Sequence, residues 1–134
     1  MTPNTEKRIL VIDDDVPILE AIGDLLRSEG FDVRQEPESI RAVQSAREYA
    51  PHVVLLDLMM PGADGVSVAQ GLRRELGIRT VPVVLMTAHP DVSRIALEME
   101  ADAWLRKPFS ARALLRAVRG DPFPDQTKPE FPVS

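Results

Sequence analysis

The chain has 134 residues and a formal net charge of −5, from 16 basic and 21 acidic side chains. This length is typical of one domain, and the acidic balance argues against nucleic acid as a direct partner, because phosphate backbones bind concentrated basic faces. Cysteine is absent, which excludes disulfides, thiolate metal sites and a cysteine nucleophile. No apolar run approaches the ~20 residues of a membrane span, so the sequence predicts a soluble, cytoplasmic protein with no membrane partner.

The first half of the chain predicts strand–helix units. A buried strand over residues 9–12 runs into three aspartates, and an amphipathic helix follows that Gly30 ends. A short second strand covers residues 31–33. Ser39 is predicted to cap a second helix, with Ile40 facing inward.

The middle of the chain repeats this alternation. The strand over residues 53–56 is apolar without a break and ends at Asp57, which is typical of a strand buried on both faces. A third helix is predicted to end at Gly77. The fourth strand, residues 83–86, then ends at Thr87.

The last elements complete the pattern. A fourth helix is predicted over about residues 91–99, and a fifth strand over 103–106 ends at Lys107. Ser110 is predicted to cap the fifth helix, with Ala111 among its inward residues.

Five strands alternating with five helices predict an α/β fold with a parallel sheet and helices on both faces. For five such units the flavodoxin-like strand order 2-1-3-4-5 is expected. The domain is predicted to span residues 7–119, after a disordered N-terminus over 1–6. Residues 120–134 carry four prolines and are predicted to be a tail or linker.

Three carboxylates are expected to share one pocket. In this strand order the first and third strands are neighbours, so Asp13, Asp14 and Asp57 meet where the strand order reverses. Two unit charges ~4 Å apart repel by about 4 kcal/mol at an effective dielectric of ~20, so either a cation lies among them or one protonates. An all-oxygen acidic site suits Mg²⁺. The alternative is that the aspartates only cap the first helix.

Thr87 and Lys107 close two further strands at the same edge. An ammonium offers a point charge for a phosphoryl oxygen, and a hydroxyl offers a short hydrogen-bond donor. Either residue alone is weak support, but together with the acids they indicate phosphoryl chemistry, with Asp57 as the acceptor.

Four segments resemble the receiver domain of two-component response regulators. The likeness covers roughly residues 7–119. The matching segments are ILVIDDD at 9–15, VLLDLMMPGADG at 54–65, LMTA at 85–88 and WLRKPF at 104–109. The resemblance implies a signalling module, not an enzyme, that would still phosphorylate itself from small donors and dephosphorylate itself.

The resemblance also implies roles for the acidic residues. Asp57 would accept a phosphoryl group from a histidine kinase or a histidine phosphotransfer protein. Asp14, Asp57 and the backbone carbonyl of Met59 would bind Mg²⁺ directly, and Asp13 would act through water.

The other motif residues receive implied roles as well. Thr87 and Lys107 would contact the phosphoryl oxygens, and the peptide bond from Lys107 to Pro108 would be cis. Trp104 occupies the aromatic switch position, where its ring would follow Thr87 and alter an output face made of helix four, strand five and helix five. The alternative is that Trp104 is a plain packing residue.

Three positions depart from the family's pattern or vary within it. Met59 and His89 lie where the family tunes self-dephosphorylation, although His89 is also interpreted as a solvent-facing loop residue. Glu100 stands where the family often has glycine, so it is either strained or part of a different loop.

Other functions remain open from the sequence. A degenerate receiver acting as a constitutive protein-interaction module is the main alternative, although the intact motif residues argue against it. A phosphohydrolase with an aspartate nucleophile would typically carry a second acid at the position of Met59. The chain could also be the receiver end of a longer regulator.

Overall fold

The computed structural model describes residues 7–59, 65–76 and 81–120. The strands are β1 (Arg8–Ile12), β2 (Asp32–Glu36), β3 (Val53–Asp57), β4 (Val83–Thr87) and β5 (Ala103–Arg106). The helices are α1 (Val16–Ser28), α2 (Ala42–Tyr49), α3 (Gly65–Leu76), α4 (Val92–Glu98) and α5 (Ala111–Arg119). The predicted disordered N-terminus, the predicted end of α3 at Gly77 and the tail from residue 121 onward lie outside the described residues.

The sheet has five parallel strands in the order β2-β1-β3-β4-β5, which confirms the predicted topology. Every residue of β3 and β4 is buried. Long apolar runs suit these positions because central strands of a parallel sheet are covered on both faces.

Helices cover both faces of the sheet, as predicted. Alternate strand residues point to opposite faces. Leu10 and Leu56 belong to the apolar cluster beneath α2, α3 and α4, whereas Val11 and Leu55 belong to the cluster beneath α1 and α5. Among the described residues, no helix is both long and apolar enough to cross a bilayer.

The start of the second helix differs from its prediction. A 3-10 turn (Ser39–Arg41) precedes α2, and Ser39 lies buried inside it without capping the helix. Ile40 is 79% exposed, so its predicted inward orientation is wrong. Helical periodicity fails here because a 3-10 turn rotates successive side chains by a different angle from an α-helix.

The two remaining caps agree with prediction, with one correction. The side chain of Ser110 accepts a hydrogen bond from the backbone N–H of Ala113, and Gly30 has φ 94° just after α1. Ala111, predicted to face inward, is exposed. It occupies the first position of α5, where the helix surface still faces solvent.

Glu100 has φ 56°, in the left-handed region that favours glycine. Its carbonyl accepts a hydrogen bond from the guanidinium of Arg73 on α3. The structure therefore supports the expectation that Glu100 is strained. This turn carries the chain from α4 to the start of β5.

Candidate functional site

The carboxyl ends of the central strands bring the predicted residues to one edge of the sheet. Ile12 pairs with Leu56, so Asp13 and Asp57 follow at neighbouring positions. Asp57 pairs with Met86, the residue before Thr87. The strand order thus places the side chains that end β1, β3 and β4 side by side, as the sequence predicts.

Asp13, Asp14 and Asp57 form a compact group of carboxylates. One oxygen from each lies within 4.8 Å of the others. Asp13 is 0% exposed and Asp57 4%, whereas Asp14 is exposed. The group therefore presents two buried carboxylates with one solvent-facing carboxylate above them.

Backbone hydrogen bonds fix the two buried carboxylates. Oδ1 of Asp13 accepts the N–H of Asp15 at 3.0 Å, and Oδ1 of Asp57 accepts the N–H of Met59 at 3.2 Å. Asp15 is the N-cap of α1, and its carboxylate accepts the N–H of Ile18 at 3.2 Å. Because Asp15 caps α1, the carboxylate of Asp14 is not needed for that purpose.

Lys107 enters the group from the end of β5, where a cis peptide bond links it to Pro108. Its Nζ donates to Oδ2 of Asp13 at 2.6 Å and lies 3.5 Å from Oδ2 of Asp57. The lysine is thus paired with both buried acids. The sequence does not predict the direct ion pair between Lys107 and Asp13.

The electrostatics favour a proton or a cation at this edge. Burial raises the pKa of Asp57 from 3.8 to about 6, and the charge of Asp13 adds to this effect, while the N–H of Met59 and the ammonium of Lys107 oppose it. Burial by itself would lower the pKa of Lys107, but its hydrogen bond to Asp13 and the charge of Asp57 outweigh burial and raise it. Asp57 is consequently costly to ionise in the absence of a metal.

The donor set fits Mg²⁺. Carboxylate oxygens are the ligands that this hard cation prefers, and Mg²⁺ keeps several waters when one or two carboxylates bind it. Asp14 and Asp57 offer such oxygens, and the close carboxylates lose repulsion when a dication lies among them.

Thr87 is fully buried at the end of β4. Its Oγ1 accepts the N–H of His89 at 3.1 Å. The Nδ1 of His89 in turn accepts the N–H of Asp91 at 3.0 Å, just before α4. The His89 side chain therefore braces the turn into α4, and its predicted tuning role stays a prediction.

Trp104 is 6% exposed and pairs with Leu85 in the sheet. It belongs to the same apolar cluster as Val92 and Ala96 of α4. The ring is thus packed on the α4 side of β5. Met59, the other predicted tuning residue, has a side chain that is 58% exposed.

Glu36 is a buried acid at this edge that the sequence interpretation did not single out. Its carbonyl accepts the N–H of Asp13 at 3.2 Å. Its carboxylate accepts the hydroxyl of Ser45 and the N–H of Glu38. The sequence contains a signal that could have identified Glu36, because this residue is also an acid that ends a strand at the same edge.

A family model for the response regulator receiver domain matches residues 9–119. The chain is 41% identical over 115 residues to the DNA-binding response regulator MtrA of Mycobacterium tuberculosis, a match that covers 84% of this chain and 49% of the relative. It is 36% identical to the phosphate regulon transcriptional regulatory protein PhoB of Escherichia coli, with 84% and 50% covered. The chain therefore spans about half the length of these curated relatives.

The fold also matches solved structures. A response regulator receiver domain protein from Clostridium thermocellum superimposes with a TM-score of 0.77 at 29% identity, covering 84% of this chain and 91% of that one. Together with the acidic edge of the sheet, these matches establish that the chain belongs to the response regulator receiver domain family of two-component systems.

Proposed function

We propose that this domain accepts a phosphoryl group on Asp57 from a histidine kinase or a histidine phosphotransfer protein in the cytoplasm. The observation that carries this proposal is the position of Asp57, a buried carboxylate beside Asp13, Asp14 and the ammonium of Lys107. Membership of the receiver family supports it.

Asp57 would act as the nucleophile. A carboxylate oxygen attacks phosphorus, an O–P bond forms, and the P–N bond of a phosphohistidine donor breaks with its electron pair returning to the imidazole. A pKa of about 6 leaves Asp57 mostly ionised above pH 7, so the nucleophile is available without a separate base.

The neighbouring residues would stabilise the transferred group. Asp14, Asp57 and the carbonyl of Met59 would hold Mg²⁺, with Asp13 acting through water, and the bound ion would offset charge on the phosphoryl oxygens. Nζ of Lys107 already lies 3.5 Å from Oδ2 of Asp57 and would donate to one of those oxygens. Thr87 would donate its hydroxyl to another.

Phosphorylation would then shift the face formed by α4, β5 and α5. Movement of Thr87 toward the phosphoryl group would release the N–H of His89, which the hydroxyl now accepts. The turn into α4 and the ring of Trp104 would adjust in response, which is a population shift towards a second state of this face. An output protein would bind that state.

The curated relatives are DNA-binding regulators. The net charge of −5 leads us to propose that this domain itself does not bind DNA.

The test is phosphorylation of the purified chain by acetyl phosphate, a small donor, with and without Mg²⁺. We expect one phosphoryl adduct in the intact mass spectrum that requires Mg²⁺, together with a change in the fluorescence of Trp104, the only tryptophan. Asp57→Asn should abolish the adduct. Asp24→Asn, which changes an exposed acid on α1, should leave it intact.

A phosphoryl adduct with unchanged Trp104 fluorescence would support Asp57 as the phosphoacceptor. It would contradict the proposal that Trp104 is part of the switch. No adduct from acetyl phosphate, from a histidine phosphotransfer protein or with a beryllofluoride mimic would instead favour a degenerate receiver that binds its partner constitutively.

A further inference from the structure

Strand β2, whose 5 residues the structure describes in full, buries one side chain, and that side chain is charged. The residues from Asp32 to Gln35 are exposed or half-buried, whereas Glu36 at the end of the strand is 5% exposed. A buried carboxylate loses hydration and costs free energy unless its neighbours compensate. The proposed phosphoryl transfer does not use this carboxylate, so its burial needs another explanation.

The carboxylate of Glu36 is held by α2 and by the turn that follows β2. Oε1 accepts the hydroxyl of Ser45, a fully buried residue of α2, and Oε2 accepts the N–H of Glu38 at 3.0 Å. Nε of Arg41 lies 3.6 Å from Oε1. Because β2 is an edge strand, these contacts tie the end of the sheet's outermost strand to a helix.

The backbone of the same residue holds Asp13. Glu36 pairs with Ile12 in the sheet, and its carbonyl accepts the N–H of Asp13 at 3.2 Å. This hydrogen bond lies at the carboxyl end of the ladder between β1 and β2, where strand pairing opens most easily. Pro37 follows and restricts Glu36 to extended backbone, which keeps its carbonyl in line with the strand.

Asp13 is hydrogen-bonded at three points. Its Oδ1 accepts the N–H of Asp15 at 3.0 Å, and its Oδ2 accepts the ammonium of Lys107 at 2.6 Å. These two partners lie at the site, whereas Glu36 connects Asp13 to α2 through Ser45. A shift of the Asp13 backbone would therefore move the carboxylate that holds Lys107.

We propose that Glu36 is a positioning residue for the phosphorylation site. Its buried carboxylate fixes the carbonyl that holds Asp13, and through Asp13 it sets the position of the Lys107 ammonium and of the group of carboxylates. Glu36 contacts no reacting atom and acts through the backbone. The inference rests on the proposed function where it concerns Mg²⁺ affinity, but the positioning of Asp13 can be measured without the ion.

The experiment is NMR spectroscopy of the full chain with labelled backbone amides, first in EDTA and then in a Mg²⁺ titration. Glu36→Ala removes the carboxylate, whereas Glu36→Gln keeps an amide that accepts from the N–H of Glu38 and donates to the oxygen of Ser45. In EDTA, Glu36→Ala should speed hydrogen exchange of the Asp13 amide about tenfold relative to the Leu10 amide in the middle of β1. Glu36→Gln should keep the ratio of the wild type.

The titration measures the effect on the site. Direct partners of a metal ligand typically change metal affinity by about 10–100-fold, and Glu36 acts one step further away. Glu36→Ala should therefore raise the dissociation constant for Mg²⁺, read from the Asp14 amide, about threefold to tenfold, and Glu36→Gln by less than about twofold. Glu48→Ala is the matched control, because exposed Glu48 of α2 pairs with Arg34 of β2 and should leave both readouts unchanged.

Three outcomes would overturn the proposal. One is an unchanged ratio of Asp13 to Leu10 exchange in Glu36→Ala. Another is equal acceleration of both amides, which would make Glu36 a residue of general stability. The third is a loss of Mg²⁺ affinity in Glu36→Gln as large as in Glu36→Ala, which would assign the effect to charge. A wild type whose amides do not respond to Mg²⁺ would instead contradict the proposed function, and the exchange ratio would still decide the role of Glu36.

Discussion

The two edges of the sheet differ in the partners of their charged side chains. At the amino edge, the guanidinium of Arg8 donates to the carbonyls of Tyr49 and Ala50, and the carboxylate of Asp102 accepts the N–H of Val83 and lies 3.5 Å from the guanidinium of Arg73. At the carboxyl edge, the carboxylates of Asp13 and Asp57 also accept backbone N–H groups, but they are buried beside each other and share Lys107. The first arrangement stabilises the fold, and the second keeps a reactive group ionisable at a cost in stability.

The difference has a physical origin. A backbone carbonyl or N–H that lacks a partner costs free energy, so a charged side chain that satisfies it contributes to stability. Carboxylates placed together repel and lose hydration, so they weaken the fold until a cation lies among them. The following substitutions separate these two effects.

The largest effect is expected at Asp57. In EDTA at pH 8, Asp57→Asn should raise the free energy of unfolding by about 2 kcal/mol, because the amide removes a buried charge whose pKa is raised to about 6. Urea denaturation of both proteins measures this difference. The variant also loses the ion pair between Asp57 and Lys107, which limits the increase in the free energy of unfolding.

The pH dependence checks the sign of this effect. A folded-state pKa above the ordinary 3.8 means that the native state binds the proton more tightly than the unfolded state. The wild type should lose stability as pH rises from about 4 through 6, whereas Asp57→Asn should lack that loss. A difference that persists at pH 3.5 would contradict the assignment to ionisation.

Mg²⁺ should have the next largest effect. At ten times its dissociation constant, the ion should stabilise the wild type by about 1.4 kcal/mol, because it binds only the native group of carboxylates. Asp14→Asn should weaken this response in a titration followed by urea unfolding. An equal response in the variant would show that Asp14 does not bind the ion.

At the amino edge, Arg8→Met should lower the free energy of unfolding by about 1 kcal/mol. The substitution keeps the aliphatic stem but removes the donors to Tyr49 and Ala50. This loss should be the same with Mg²⁺ and with EDTA, unlike the effects at the carboxyl edge. Arg74→Met on α3 is the control, since Arg74 is exposed and should change stability by less than about 0.5 kcal/mol.

The smallest effect is expected at Glu100. Glu100→Gly should stabilise the protein by about 0.5 kcal/mol, because glycine adopts φ 56° without strain but loses more entropy on folding. Thermal unfolding would detect the shift. Glu100→Ala provides the comparison, since alanine retains the strain and should not stabilise.

Sequence patterns predict this fold well at the strands, where runs of apolar residues indicate which segments are buried. The unbroken apolar run of β3 and the residues that end β1, β3, β4 and β5 predict buried parallel strands and the edge at which the site lies. The predicted strand order is the one expected for five such units in a flavodoxin-like fold, and right-handed connections between parallel strands place helices on both faces. The site residues come together for the same reason.

What the sequence could not predict depends on side-chain choices in three dimensions. Lys107 pairs with Asp13 more closely than with Asp57, a matter of side-chain rotamers that strand order does not determine. The position of Glu36 at the end of a strand is visible in the sequence, but its burial and the hydrogen bond that it accepts from Ser45 of α2 are not. Ile40 is exposed because a short 3-10 turn replaces the first turn of a helix.

The position of β1 within the sheet has a consequence during synthesis. Ile9 pairs with Val53, so 44 residues separate the strand from its partner on that side. At a ribosomal rate of about 5–20 residues per second, this interval lasts roughly 2–9 s. For that time a nascent chain carries an apolar strand with an unpaired edge, which is the kind of surface that other strands join.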